Sequence, residues 1–220
     1  MINTSHLAFG TMQCGGRADA AQSMAMFHAC YDAGIRHFDT AWIYTDGASE
    51  TLLGEFARGH DIQIATKVGY TGGSGRANLT AQFDTSRTRL GRDAVDLLYL
   101  HRFDPKTPLA ETLELLAEWQ SRGMIARIGL SNFAAWQVMK AQAIATRLGM
   151  DVTLLCPTPE YVLDERYMGW AEANVAESGG SLAVSHDIES AYAGADVVYA
   201  KSWGALPYFG NWAPEKPIRD

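Results

Sequence analysis

Short apolar runs alternate with amphipathic stretches along almost the whole of this chain. The apolar runs have the length and β-branched character of strands: LAFGTM (7–12), RHFDTA (36–41), IQIATKV (62–68), VDLLYLH (95–101), ARIGLSN (126–132), DVTLLCP (151–157), SLAVSHD (181–187) and DVVYAKSW (196–203). The stretches between them repeat apolar residues at helical spacing. They are residues 20–34 with a terminal Gly stop, 49–59 with Ser49 as the expected N-cap, 79–91, 108–123, 134–149, 163–180 and a short seventh at 188–195.

Alternating strand and helix units predict parallel strands covered by helices, because parallel neighbours need a crossover. Eight strands are the count for a closed (β/α)8 TIM-like barrel, with strand 1 beside strand 8. An open parallel sheet is the alternative architecture. A regular eighth helix is not expected, since GALPYFGNWAPEKPIRD (204–220) is rich in Pro and Gly. The apolar surface this leaves calls for cover, from the aromatic tail (Trp203, Tyr208, Phe209, Trp212) or from a second copy in a homodimer.

Composition narrows the partners. The chain has 220 residues, 47% hydrophobic and 20% charged, which describes an ordinary globular protein. Its net charge of -7 and the lack of a Lys/Arg run exclude a nucleic-acid footprint. Three cysteines (Cys14, Cys30, Cys156) with no CxxC pair point to a reduced, cytoplasmic, metal-free protein. No apolar run is long enough for a membrane span, and no signal peptide is expected.

The chemistry gathers at predicted strand ends. Asp39 closes strand 2 and Tyr44 follows in the next loop; Lys67 closes strand 3 and His101 closes strand 4. In a barrel these ends converge on one mouth. An ammonium beside a phenol favours the phenolate, so Lys67 is expected to pull Tyr44 down from about 10 toward working pH. Asp39 would orient Lys67, and His101 would hydrogen-bond a substrate carbonyl. Other features carry less. TGGSGR (71–76) is read as a flexible connection rather than a phosphate cradle, His28 and Met26 as packing or surface residues, and Cys14 as lacking the marks of a nucleophile.

FDTAWIYTDGASETLLGEF (38–56), IATKVG, DLLYLHRFD and IGLSNF together resemble the aldo-keto reductase family, in order and in spacing. That resemblance implies Tyr44 as proton donor, with Asp39, Lys67 and His101 completing a tetrad. It places Ser131 and Asn132 against the nicotinamide carboxamide, and it implies NADPH-dependent reduction of an aldehyde or ketone, a small-molecule carbonyl substrate.

Beyond about residue 143 the likeness changes. TLLCPTPEY lacks the Gln that reductases carry on strand 6, LAVSHD lacks the stacking aromatic of strand 7, and the Arg-bearing helix after strand 8 is missing. About the last 75 residues are instead similar to part of the second, amino-acid-binding domain of N-acetylornithine carbamoyltransferase. Lys201, Ser202, Trp203 and Gly204 match that family's substrate-binding loop. Its Ser-Thr-Arg-Thr loop, which seats carbamoyl phosphate, is absent, so carbamoyl transfer is not expected. The division read is 1–143, reductase-derived, and 144–220, a transcarbamylase-derived fragment completing the same domain. We read the whole as a constructed chimera, a design rather than a natural or assembly fusion. Three functions are compatible: a hybrid barrel with very weak or no turnover and weak NADPH binding, a working carbonyl reductase, and a vestigial module binding nucleotide or an acylated amino acid.

Overall fold

The computed structural model describes residues 7–149, 151–155, 165–187 and 197–199. The chain divides into two compact units, Met1–Asn132 and Phe133–Asp220.

The first unit holds five parallel strands in sequence order: β1 (Ala8–Gly10), β2 (His37–Asp39), β3 (Gln63–Val68), β4 (Val95–Leu100) and β5 (Ile125–Leu130). Helices α1 (Ala20–Asp32), α2 (Ala48–Ala57), α3 (Arg76–Leu90) and α4 (Leu109–Ser121) form the crossovers. Alternate strand residues turn toward these helices. Phe38, Ile64, Leu98 and Ile128 are buried, together with Leu53, Leu79, Leu115 and Leu116 from the helices. Phe9, Phe27, Phe38 and Phe56 meet in edge and tilted contacts at 5.2–6.1 Å, a geometry that the ring quadrupole favours. Two helix ends have a clear local cause. Asp19 and Gln22 form a capping box on α1, and Gly91 in the left-handed region stops α3.

In the second unit α5 (Ala135–Arg147) precedes β6 (Asp151–Leu155), α6 (Glu165–Ser178), β7 (Ser181–Ser185) and β8 (Val197–Tyr199). β6 and β7 pair in parallel across the α6 crossover. α6 is fixed to α5 by Asn174 Nδ2 donating to Ala143 O at 3.0 Å and by Ser178 Oγ donating to Thr146 O.

Two expectations are corrected here. Among the described residues the single continuous sheet is not formed: β6 and β7 make a two-stranded sheet of their own, and β1 pairs with β2 alone, not with strand 8. Apolar runs announce strands but not their partners, and the second stretch carries a self-contained βαβ unit. Ser49 is not the cap of α2; Gly47 precedes the helix, and the Ser49 hydroxyl is buried in a network described below. The expected seventh helix and the aromatic tail lie outside the described residues. Among those described, no helix is long and apolar enough to cross a membrane.

Candidate active site

The ends of β2 to β5 are staggered by backbone hydrogen bonds that continue each ladder past its strand. Trp42 N donates to Lys67 O, His101 N to Val68 O, and Ser131 N to Leu100 O, at 2.8–3.0 Å. These bonds bring residues from four separate loops to one edge of the sheet.

Lys67 is the centre of the group. Its Nζ donates to Asp39 Oδ1 on the neighbouring strand and to Thr40 O at 2.7 Å. The same ammonium lies 4.9 Å from the centroid of the Tyr44 ring and 5.7 Å from that of Tyr99. Tyr44 meets His101 edge to face at 5.7 Å. Asp39, Tyr44, Lys67 and His101 are thus brought together, although Lys67 approaches Tyr44 over the ring face rather than through a hydrogen bond.

The electrostatics correct one expectation. Lys67 does not lower the Tyr44 phenol, which is pushed up to about 12, by burial first and by the Asp39 charge second. The Asp39 carboxylate neutralises the ammonium, so the phenol senses a paired charge in a poorly solvated site. Burial is also the larger influence on that pair, raising Asp39 and lowering Lys67 against their mutual attraction. His101 is pulled down to about 4 by burial, then by the Lys67 and Arg102 charges. It is therefore a neutral imidazole at pH 7. Its Nδ1 is buried and has no protein partner among the described residues.

Ser131 and Asn132 follow β5, beside His101. Asn132 sits at φ +57° and donates through Nδ2 to His101 O at 2.9 Å and to Ser131 Oγ at 3.2 Å. Lys201, Ser202, Trp203 and Gly204 lie outside the described residues.

Sequence reasoning missed the buried supports. Ser49 Oγ lies 2.6 Å from Thr11 Oγ1 and 2.8 Å from Thr40 Oγ1, and donates to Thr11 O at 2.9 Å, tying α2 to the ends of β1 and β2. The fully buried Glu50 carboxylate accepts from Thr66 Oγ1 at 2.6 Å and from Arg89 at 3.2 Å. The usable signal was a Ser-Glu pair in the first turn of a helix whose other faces were already apolar or solvated. Tyr70, 4.9 Å from the His101 ring, and Arg102, 4.9 Å from the Tyr70 ring, were missed because neither belongs to a periodic pattern. The TGGSGR loop is bonded to Asp104, which leaves no open cradle at Ser74. Asp104 Oδ2 accepts from Ser74 N at 2.8 Å and from Thr107 Oγ1 at 2.7 Å, a carboxylate already seated where an anion would go. Cys14 is buried with its thiol pushed up by burial, which removes nucleophilic character.

A model of the aldo/keto reductase family matches residues 6–161. The chain belongs to that family. A second model, the Asp/Orn binding domain of aspartate/ornithine carbamoyltransferase, matches residues 135–213 and overlaps the first over 135–161. This reductase family member is 33% identical over 175 residues to aflatoxin B1 aldehyde reductase member 2 of Rattus norvegicus, covering 76% of the chain and 45% of that protein. It is 85% identical over 80 residues to N-acetylornithine carbamoyltransferase of Xanthomonas campestris pv. campestris, covering 36% of the chain and 24% of that protein. The chain therefore spans about a quarter of the carbamoyltransferases it matches and about half of the aldehyde reductases. An aldo-keto reductase from Klebsiella pneumoniae, solved in complex with NADPH, superposes with a TM-score of 0.58 at 26% identity, covering 76% of this chain and 60% of that one. These relatives place the fold in the (β/α)8 TIM-like class and the sequence as a hybrid of two enzyme families. Both stretches match natural proteins, which is consistent with a chimera of two parents and gives no support to a chain designed de novo.

Proposed function

We propose that this chain is a hybrid derived from an NADPH-dependent aldehyde or ketone reductase, with its proton-donating group assembled and its turnover very weak or absent. The observation that carries this reading is Lys67, bonded to Asp39 and set over the Tyr44 ring beside a neutral His101.

In this reading each residue has a task that its environment supports. Tyr44 holds its proton at pH 7 and delivers it to the carbonyl oxygen. Neutral His101 offers a ring N–H to the same oxygen and fixes its direction. Asp39 keeps Lys67 oriented, with its ammonium over the Tyr44 ring. The Ser131 hydroxyl proton and Asn132 Oδ1 have no partner among the described residues, so the pair suits a nicotinamide carboxamide. Bound NADPH would supply the hydride.

Two features support weak turnover. A phenol pushed up to about 12 is a weaker proton donor than one at its ordinary value. The stretch from 135 onward resembles a carbamoyltransferase, so the reductase's stacking aromatic and phosphate contacts are not supplied. Stacking is worth about 0.5–1.5 kcal/mol and each charged hydrogen bond about 1.5–3 kcal/mol. The test is turnover of a reactive aldehyde with saturating NADPH, in the natural chain and in Tyr44→Phe. A slow rate that vanishes in Tyr44→Phe supports the reading; a rate unchanged by that substitution removes Tyr44 from it.

A further inference from the structure

Tyr44 opens a turn that ordinary backbone preferences oppose. Thr45 and Asp46 lie at φ +48° and +54°, and Gly47 follows at +93°. Two consecutive non-glycine residues in the left-handed region are sterically disfavoured, and a β-branched threonine is the worse of them. Such a turn persists only where its surroundings over-determine it.

One face is held by Thr45 itself. Its Oγ1 donates to Cys14 O at 2.7 Å and accepts from Ser49 N at 3.0 Å. The other face is held by a residue from a distant helix. Arg89, near the end of α3, donates through Nη1 to Trp42 O at 2.9 Å and to Glu50 Oε2 at 3.2 Å. Trp42 lies two residues before Tyr44 and Glu50 six residues after it, so the guanidinium bridges both sides of the turn. It also closes over the turn's glycine. A Cβ added at Gly47 would lie 2.3 Å from Arg89 Cζ and 2.6 Å from Nε and Nη2. Glu50 in turn holds Thr66, immediately before Lys67.

We propose that Arg89 is a positioning residue for Tyr44, clamping the strained 44–47 turn by bridging Trp42 O and Glu50 against Gly47. Arg89 touches none of the four grouped side chains and does no chemistry. Both bonds leave one nitrogen, Nη1, while Cζ, Nε and Nη2 lie flat against Gly47; a lysine can offer the donor but has no planar group to cover the glycine. The inference rests on the reading of Tyr44 as proton donor for its functional meaning, but its geometry is tested without turnover.

The readout is the ring-to-ring nuclear Overhauser effect between Tyr44 and His101 in the full chain, with Tyr44→Phe and His101→Gln used to assign the signals. It is measured in the natural chain and in Arg89→Ala, Arg89→Lys and Gly47→Ala, with circular dichroism reporting folding. The expected result is a clear effect in the natural chain, lost in folded Arg89→Ala and in Gly47→Ala. Arg89→Lys retains the Glu50 ion pair, and so the fold, but shows a weakened effect. Should Arg89→Ala fail to fold, Arg89→Lys decides. A Tyr44–His101 effect of natural strength in folded Arg89→Ala, or in Arg89→Lys, overturns the proposal, because the turn would then hold without the planar group over Gly47. Loss of the effect alongside aldehyde turnover that is insensitive to Tyr44→Phe would uphold the clamp and sink the reductase reading.

Discussion

Asp39 on β2 and Lys67 on β3 are joined by a hydrogen-bonded ion pair across adjacent parallel strands, although neither is the other's register partner. Asp39 pairs in register with Ala65, so the lysine reaches back from two residues further along. The reach places the ammonium between the carboxylate and the Tyr44 ring. It also buries most of Lys67, which is 7% exposed.

That pairing makes the two charges interdependent. Lys67→Met should leave Asp39 in a site that disfavours its charge, and Asp39→Asn should do the same to Lys67. Each single change is expected to cost about 2–4 kcal/mol, somewhat below the range for fully buried pairs because the carboxylate keeps some contact with water. The double variant should cost clearly less than the two singles together. Urea denaturation of the four chains measures this coupling, and strict additivity would show the pair to be energetically idle.

His101 links stability to pH. Its ordinary value of 6.5 falls to about 4 in the folded chain. Between those values the unfolded chain binds a proton that the folded chain refuses. Stability therefore falls as pH drops from 6.5 to 4, with no further loss from this group below that window. The expected loss is roughly 1–3 kcal/mol. His101→Gln should flatten this part of the pH–stability curve; an unchanged slope would assign it to other groups.

Gly54 marks the closest approach of α2 and α3. An added Cβ would meet Arg89 O at 2.5 Å and Leu90 Cα at 2.7 Å, both backbone atoms that cannot turn aside. Its own backbone is helical, so the effect is purely steric. Gly54→Ala is expected to destabilise by about 1–3 kcal/mol through overpacking, against the gain that alanine normally brings to a helix. Thermal denaturation checks the sign, and a stabilised variant would contradict the close packing.

NADPH should bind more weakly than micromolar. Nucleotide fluorescence during titration measures it, and Lys201→Ala should leave the affinity unchanged. The carbamoyltransferase likeness over 135–213 accounts for Lys201 and Ser202 without a cofactor role. Micromolar binding that collapses in Lys201→Ala would assign the pair to the cofactor and revive efficient reduction.

The sequence by itself determined where the elements lie and which residues stand at their ends. Its periods of 2 and 3.6 located β1 to β7 and α1 to α6 within a few residues, because apolar spacing is a local property of the chain. It also placed Asp39, Lys67 and His101 at strand termini, and a parallel sheet then had to carry them to one edge. Tertiary structure decided the rest. Sequential strands of a barrel already put β6 beside β7; periodicity could not foresee that, among the described residues, the two form a sheet of their own, because that depends on competing partners. The Tyr44 proton affinity reversed the expected direction because burial and a compensated ammonium, both absent from a linear reading, outweigh simple proximity. Ser49 looked like a cap by its place before an apolar run, yet only the packing of α2 on β1 and β2 turned its hydroxyl inward. Arg89 has no linear signal: 47 residues of chain separate it from the carbonyl it holds, and only the folded sheet brings the two together.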